Sequence, residues 1–73
     1  MKYERIRSLR EDNDLTQEYI GKIINVSQRT YSRYENDERA IPVEILGKLA
    51  DFYETSIDYL VGRTDLRQPY PKK

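Results

Sequence analysis

The stretch QEYIGKIINVSQRTYSRYEN, residues 17–36, decides the fold of this chain. Its apolar side chains recur at a helical spacing and stand at Ile20, Ile24, Val26, Tyr31 and Tyr34. The period is interrupted at Asn25 and Val26, and Ser27, a good helix cap, restarts it. The pattern predicts two short helices joined by a tight turn, each with an apolar side facing a common core.

The side of the second helix that faces away from this core is polar, with Gln28, Arg29, Thr30, Ser32 and Arg33 along it. Amide, guanidinium and hydroxyl groups are the side-chain types that reach base edges and phosphates in the major groove of DNA. The alternative interpretation is the solvated face of an ordinary helix, to which no duplex binds.

Three further helices are expected around this pair, which makes the predicted fold all-α. The five helices are predicted at about residues 3–13, 17–23 or 24, 28–35, 43–53 and 57–61. Thr16, Ser27 and Ser56 each precede a helix as caps, and Pro42 precedes another, where its missing N–H costs nothing. Gly62 is expected to end the last helix. No segment shows the alternation that is typical of a strand.

Composition limits the chemistry of the chain. Its 73 residues are enough for one small domain, and they include neither cysteine nor histidine. Disulfides, thiolate zinc sites and nucleophile pairs built on histidine are therefore excluded. We expect no enzyme, no metal and no cofactor. Because no apolar run is long enough for a signal peptide or a membrane span, we also expect no membrane partner and a cytoplasmic location.

Charge is balanced overall but unevenly distributed. Thirteen basic and thirteen acidic residues give zero net charge, which by itself argues against a nucleic-acid partner. The net charges are +2 for residues 1–34, −5 for residues 35–60 and +3 for residues 61–73. Within residues 17–34 the basic residues are Lys22, Arg29 and Arg33, and the only acid is Glu18. Such a local basic face predicts modest non-specific affinity for DNA and a shallow salt dependence.

Two segments resemble a known family. RIRSLREDNDLTQEYIGKIINVSQRTYSRYEN, residues 5–36, and IPVEILGKLADFYETSIDYLVGRTD, residues 41–65, are similar to the lambda-repressor-like helix-turn-helix domains of the Cro/Xre type. The resemblance implies a five-helix DNA-binding domain over residues 1–65 and a flexible tail over residues 66–73. It implies sequence-specific binding to double-stranded DNA and regulation of transcription, most simply repression.

The resemblance also implies a role for each polar residue of the interface. Base edges would be contacted by Gln28, Arg29, Thr30 and Arg33. The DNA backbone would be contacted by Gln17, Lys22, Ser27, Ser32, Asn36 and Arg39. A structural ion pair would join Arg10 to Glu35 and orient the third helix without touching DNA. For these residues the alternatives are exposed side chains without partners, a helix cap at Asn36 and two unrelated charges at Arg10 and Glu35.

Several turn positions depart from the family pattern. Gly21 occupies the family's small-residue site, where the next helix crosses closely. Asn25, Asp14, Asp37 and Glu54 stand where glycine is usual and where a left-handed backbone is needed. Asn and Asp accept that backbone better than other residues, and Glu is less comfortable there. We therefore expect these four residues to leave the fold intact at some cost in stability.

A single recognition helix reads only a few base pairs, so we expect a homodimer on a palindromic site. The expected contact is the fifth helix with the end of the fourth, and it involves Tyr59, Leu60, Val61 or the tail. A protein-interaction module of the same fold, such as an antitoxin or antirepressor partner, is the alternative. It would use Ile23, Phe52 and the acidic residues 35–60. The chain is also compatible with a piece of a longer repressor.

Overall fold

Five short α-helices build the domain in the computed structural model, which describes residues 3–68. They are α1 Glu4–Asp12, α2 Gln17–Ile23, α3 Gln28–Glu35, α4 Val43–Phe52 and α5 Ile57–Leu60. No strand occurs among the described residues, so the predicted all-α fold with five helices is confirmed. The predicted ends differ by one residue at α1, α4 and α5, because the residues just outside these helices are caps rather than helical residues.

Local capping explains where three of the helices begin. The hydroxyls of Thr16, Ser27 and Ser56 accept hydrogen bonds from the amides of Tyr19, Thr30 and Tyr59 at 3.0, 3.1 and 3.0 Å. Each bond satisfies an amide that has no partner inside its own helix. The three predicted caps are therefore confirmed.

One core joins all five helices. Its buried apolar residues are Ile6, Leu9, Ile20, Ile24, Tyr31, Tyr34, Leu46, Leu49, Ala50, Tyr53 and Leu60. Of the five apolar positions in the deciding stretch, four are buried and Val26 is partly buried against the core. Because α2 with its cap residue Ile24 contributes two of these side chains and α3 contributes two more, the relative orientation of the two helices is fixed by packing.

The turns between helices use the left-handed backbone that was predicted for them. The φ angles of Asp14, Asn25, Asp37 and Glu54 are 56°, 61°, 60° and 53°, and that of Gly62 after α5 is 83°. The left-handed backbone at these four non-glycine positions is therefore confirmed, and Gly62 ends α5 as expected.

Gly21 explains how α2 and α3 approach each other. A Cβ at this position would lie 2.9 Å from the carbonyl oxygen of Val26 and 3.4 Å from the amide nitrogen of Gln28. Real Cβ atoms do not come so close to a backbone oxygen, so only glycine lets the turn close at this spacing. The closest neighbour is the backbone of the turn, just before α3 begins.

The last described residues return to the body of the domain, where the carbonyl of Arg67 accepts a hydrogen bond from the hydroxyl of Thr55. Residues 69–73 of the predicted tail lie outside the described residues, and the boundary at residue 65 stays a prediction. Among residues 3–68, no helix combines the length and the apolar character needed to cross a bilayer.

Candidate nucleic-acid interface

Helix α3 divides its side chains between the core and the solvent. Tyr31, Tyr34 and Glu35 are buried. On the opposite side, Gln28, Arg29 and Arg33 are exposed, and Thr30 and Ser32 are half-buried. All the predicted base-contacting residues therefore lie on or at the edge of one outward surface.

The two guanidinium groups of this surface are free to bind another molecule. Among the ion pairs within residues 3–68, none involves Arg29 or Arg33. Gln28, Arg29 and Arg33 line an open depression together with Gln17, Ser32 and Glu38. The depression brings together five predicted DNA-contacting residues from α2 and α3, and Glu38 adds an acid that the sequence analysis did not place there.

The remaining predicted backbone contacts do not line this depression. The hydroxyl of Ser27 donates a hydrogen bond to that of Thr30 at 3.0 Å. Part of the hydrogen-bonding capacity of both hydroxyls is therefore used at the start of α3. The side-chain amide of Asn36 donates to the hydroxyl of Ser32 at 3.4 Å. Lys22 at the end of α2 and Arg39 in the loop after α3 are exposed. Arg39 lines a different depression, together with Tyr34 and Ile41. The structure therefore does not bring all the predicted backbone contacts together.

A hydrogen-bond network behind α3 holds the surface in place. Arg10 of α1 donates from Nε to Oε2 of Glu35 at 2.7 Å and from Nη2 to Oε1 at 3.0 Å. Its Nη1 donates to the carbonyl of Leu15 at 2.9 Å. The side chains of Arg10 and Glu35 are only 13% and 2% exposed. Such a bidentate pair, desolvated on both sides, ties the end of α3 to α1.

Gln17, predicted to hold the DNA backbone, belongs to the same network. Its Nε2 donates to Oε1 of Glu35 at 3.1 Å, which connects the start of α2 to the end of α3. Ionised Glu35 can only accept hydrogen bonds, so the side-chain amide of Gln17 must direct its nitrogen towards Glu35. One N–H and the carbonyl of Gln17 remain for a further partner.

The network changes the proton affinity of its members. Burial tends to raise the pKa of Glu35, but the hydrogen bonds and charge of Arg10, together with the neighbouring donors of Tyr31 and Gln17, outweigh burial and hold this pKa below its usual value. The hydrogen bond to Glu35 raises the pKa of Arg10. Glu35 therefore stays ionised, and Arg10 stays charged, at neutral pH.

Two tyrosine hydroxyls lie near this network. Tyr31 and Tyr53 are buried, and among the described atoms their hydroxyls have no well-formed hydrogen bond. Burial raises the pKa of both, that of Tyr53 to about 12. The apolar pattern predicted that Tyr31 lies inside, but nothing in that pattern indicated a hydroxyl beside Glu35.

The apolar side chains of the alternative hypothesis form a small patch elsewhere. Ile23 is 39% exposed and Tyr19 is 47% exposed on the same side of α2. The ring of Tyr19 lies 6.3 Å from that of Phe52, which is half-buried at the end of α4.

Within residues 3–68, no group of acidic side chains is arranged to hold a metal ion.

Comparison with known proteins places the chain in a family. The profile of the helix-turn-helix family matches residues 6–60. The chain therefore belongs to the helix-turn-helix family. The solved structure of the P22 c2 repressor protein in complex with a synthetic operator is similar, with a TM-score of 0.75 and 33% identity. It covers 84% of this chain and 92% of the repressor chain. The fold is thus lambda-repressor-like, as the sequence predicted.

Two curated relatives refine this assignment. The chain is 36% identical over 69 residues to the uncharacterized HTH-type transcriptional regulator YobD of Bacillus subtilis, covering 94% of this chain and 60% of YobD. It is 38% identical over 61 residues to the cryptic phage CTXphi transcriptional repressor RstR of Vibrio cholerae, covering 84% of this chain and 55% of RstR. The chain thus spans about 60% or less of the length of these relatives.

Proposed function

We propose that the chain is a sequence-specific regulator of transcription that binds double-stranded DNA through α3. The observation that carries this proposal is the exposed row of Gln28, Arg29 and Arg33 on a helix whose opposite side is locked into the core. Similarity to regulators and to a repressor solved with operator DNA supports it. Repression would follow from covering a promoter, which requires no chemistry and no cofactor.

The dimensions of α3 suit the major groove. An α-helix with its side chains is about 10–12 Å in diameter, and the major groove of B-DNA is about 12 Å wide. Arg29 is suited to a bidentate contact with guanine, and Gln28 to one with adenine. Thr30 is suited to a thymine methyl, and Arg33, one turn further on, to another base or a phosphate.

Backbone contacts would come from residues of α2, α3 and the turns next to α3. We assign them to Gln17, Lys22, Ser27, Ser32, Asn36 and Arg39. Lys22 and Arg39 supply charge, while the hydroxyl and amide groups supply hydrogen bonds to phosphate oxygens. Because the chain has zero net charge, attraction to DNA would act at short range, and the salt dependence would be shallow.

We further propose that the protein binds DNA as a homodimer in the cytoplasm. One copy of α3 covers about 4–6 base pairs, which is too few to specify a site in a genome. Two copies related by a two-fold axis would read half-sites about 34–36 Å apart. The proposed contact is at α5 and the end of α4, where Tyr59 and Val61 are partly buried apolar residues. Leu60, which was also expected at this contact, is buried in the core and is not available to a partner.

Selection of bound sequences from random duplex DNA tests the proposal. We expect an enriched palindrome with half-sites one helical turn apart, which would report base preference, symmetry and spacing together. The variant Arg29→Ala is the matched specificity control and should enrich a degenerate base at one position of each half-site. If the wild-type protein enriches no sequence, the DNA-binding proposal fails. The protein-interaction module, an antitoxin or antirepressor partner, then becomes the better hypothesis.

A further inference from the structure

After α5 the chain folds back over the domain, and we call residues 62–67 the C-terminal strap. The strap begins at Gly62, whose φ of 83° lets the chain reverse direction. The amide of Arg63 donates to the carbonyl of Asp58 at 2.8 Å. At the other end the hydroxyl of Thr55 donates to the carbonyl of Arg67. The strap is therefore attached to the domain at both ends.

Between these ends, Arg5 of α1 binds both the strap and α5. Its guanidinium donates to the carbonyl of Tyr59 at 2.9 Å, donates to the carbonyl of Thr64 and pairs with Asp65. The same group lies 4.2 Å above the centre of the Tyr59 ring, within cation–π distance. One side chain of the first helix therefore binds both α5 and the segment after it.

Helix α5 depends on such support. It has only four residues, and a helix of that length is not stable by itself. Its carbonyls at Ile57, Asp58 and Tyr59 accept from the amides that follow the helix, and Arg5 adds a second donor at Tyr59. Apolar burial adds little in the strap, where Leu66 is 69% exposed. Polar contacts, including those of Arg5, therefore hold the strap, whereas α5 is also anchored by Leu60 in the core.

We propose that Arg5 is a positioning residue for α5 and the strap, and that it thereby sets how two copies of the domain pair on DNA. The inference rests on the proposed function, in which α5 forms the homodimer contact. Tyr59, one of the apolar residues of that contact, is the residue that Arg5 holds by its carbonyl and its ring. Loss of Arg5 would loosen the strap and the end of α5 next to it, whereas Leu60 stays in the core and α3 stays fixed by Arg10 and Glu35.

The variant Arg5→Gln tests the proposal, with Arg7→Gln as the matched control. Arg7 lies on the same helix and makes an exposed ion pair with Glu11 at 3.6 Å. Two measurements are needed: amide hydrogen exchange along the chain, and affinity for the selected palindrome and for the same duplex with one half-site scrambled. Hydrogen exchange reports on the strap. Comparison of the two affinities separates the pairing of two copies from the reading of bases by one copy.

For Arg5→Gln we expect exchange at residues 59–66 to become about tenfold faster or more, with α3 unchanged. Affinity for the palindrome should fall by about tenfold, because pairing multiplies the two half-site affinities. Affinity for the scrambled duplex should change by less than about twofold. Arg7→Gln should match the wild type in every measurement. Asp65→Asn, which removes only the ion pair, should give a smaller increase in exchange. If Arg5→Gln does not fold, this variant still tests whether the contact between Arg5 and the strap matters.

Three results would overturn the proposal. Unchanged exchange at residues 59–66 would mean that Arg5 does not hold the strap. Faster exchange with unchanged affinity for the palindrome would mean that the strap has no part in pairing. An equal loss on both duplexes would reduce Arg5 to a residue that merely stabilises the fold. If the wild type binds neither duplex, the pairing role fails with the proposed function, while exchange still decides whether Arg5 holds the strap.

Discussion

Arg29 and Lys22 are both exposed cations near the proposed interface, but their side chains suit different targets. Arg29 carries a planar fork near the start of α3, whereas Lys22 carries a compact charge in the last turn of α2. We expect Arg29→Ala to weaken binding by about 1–3 kcal/mol and to relax the preference at one base pair. Lys22→Ala should weaken all sequences alike and lower the salt slope by about one.

Titrations of the selected duplex and its single-base variants at several salt concentrations separate these two effects. Lys48→Ala is the control, because Lys48 is an exposed cation on α4 outside the depression of the interface. It should leave affinity, base preference and salt slope unchanged. If Arg29→Ala alters neither affinity nor base preference, Arg29 does not contact a base.

Asn25 and Glu54 allow a second comparison at the scale of one residue. Both have a left-handed backbone, with φ of 61° and 53°. This backbone costs an ordinary L-residue about 1–2 kcal/mol, and Asn reduces the cost by local hydrogen bonding. We therefore expect Asn25→Gly to stabilise the domain modestly, by about 0.5 kcal/mol, and Glu54→Gly to stabilise it by about 1 kcal/mol.

Thermal or denaturant unfolding measures both changes. Lys48→Gly is the opposite control, since it places glycine inside a helix and should destabilise the domain by about 1 kcal/mol. A lower melting temperature for Asn25→Gly would contradict a left-handed turn at that residue.

At the scale of the elements, the two helical glycines should respond to alanine in opposite ways. Gly21→Ala places a methyl group 2.9 Å from the carbonyl of Val26, which would force α3 away from α2. Gly47→Ala in α4 meets nothing within 4 Å. We expect Gly21→Ala to destabilise the domain by about 1–3 kcal/mol and Gly47→Ala to stabilise it by about 0.5–1 kcal/mol.

Circular dichroism during urea unfolding measures both free energies. Under the proposed function, Gly21→Ala should also weaken DNA binding, because it displaces the start of α3, whereas Gly47→Ala should not. An unchanged stability for Gly21→Ala would show that the turn has room for a side chain and would contradict the close approach of α2 and α3.

Sequence predicted the elements well because their signals are local. Ser27 caps α3 and Gly62 ends α5 through atoms a few residues away, so a short stretch contains the cause. The polar outward side of α3 follows from helical period in the same way. The contacts of Arg5 were missed because they join residues 54 to 60 apart and leave no periodic trace. The hydrogen bond from Gln17 to Glu35 was missed for a similar reason, since Glu35 lies at the end of α3, far from Gln17 in the sequence.

For the whole molecule, the network around Glu35 predicts a dependence of stability on pH. The pKa of Glu35 is lowered in the folded state, so ionised Glu35 stabilises the fold above the ordinary carboxyl pKa of about 4.3. This contribution is lost as the pH falls below that value toward the folded pKa. We expect Glu35→Gln to be less stable than the wild type at pH 7, because Arg10 loses its charged partner in a buried position.

Melting temperatures between pH 7 and about pH 3 test this dependence. The wild type should lose more stability over that range than Glu35→Gln, so that the two curves converge in acid. Glu11→Gln is the control, because Glu11 is exposed and its removal should leave the steepness of the curve unchanged. Parallel curves for the wild type and Glu35→Gln would show that the carboxylate contributes nothing through its ionisation.

The division of α3 into two sides has a consequence for how such a protein changes over time. The side chains that would choose an operator, Gln28, Arg29 and Arg33, are exposed, while those that anchor the helix, Tyr31, Tyr34 and Glu35, face inward. Mutations on the outer side can therefore accumulate without loss of folding. Under the proposed function, substitutions at these three residues would change the operator that the protein binds and leave the fold intact, both in evolution and in protein engineering.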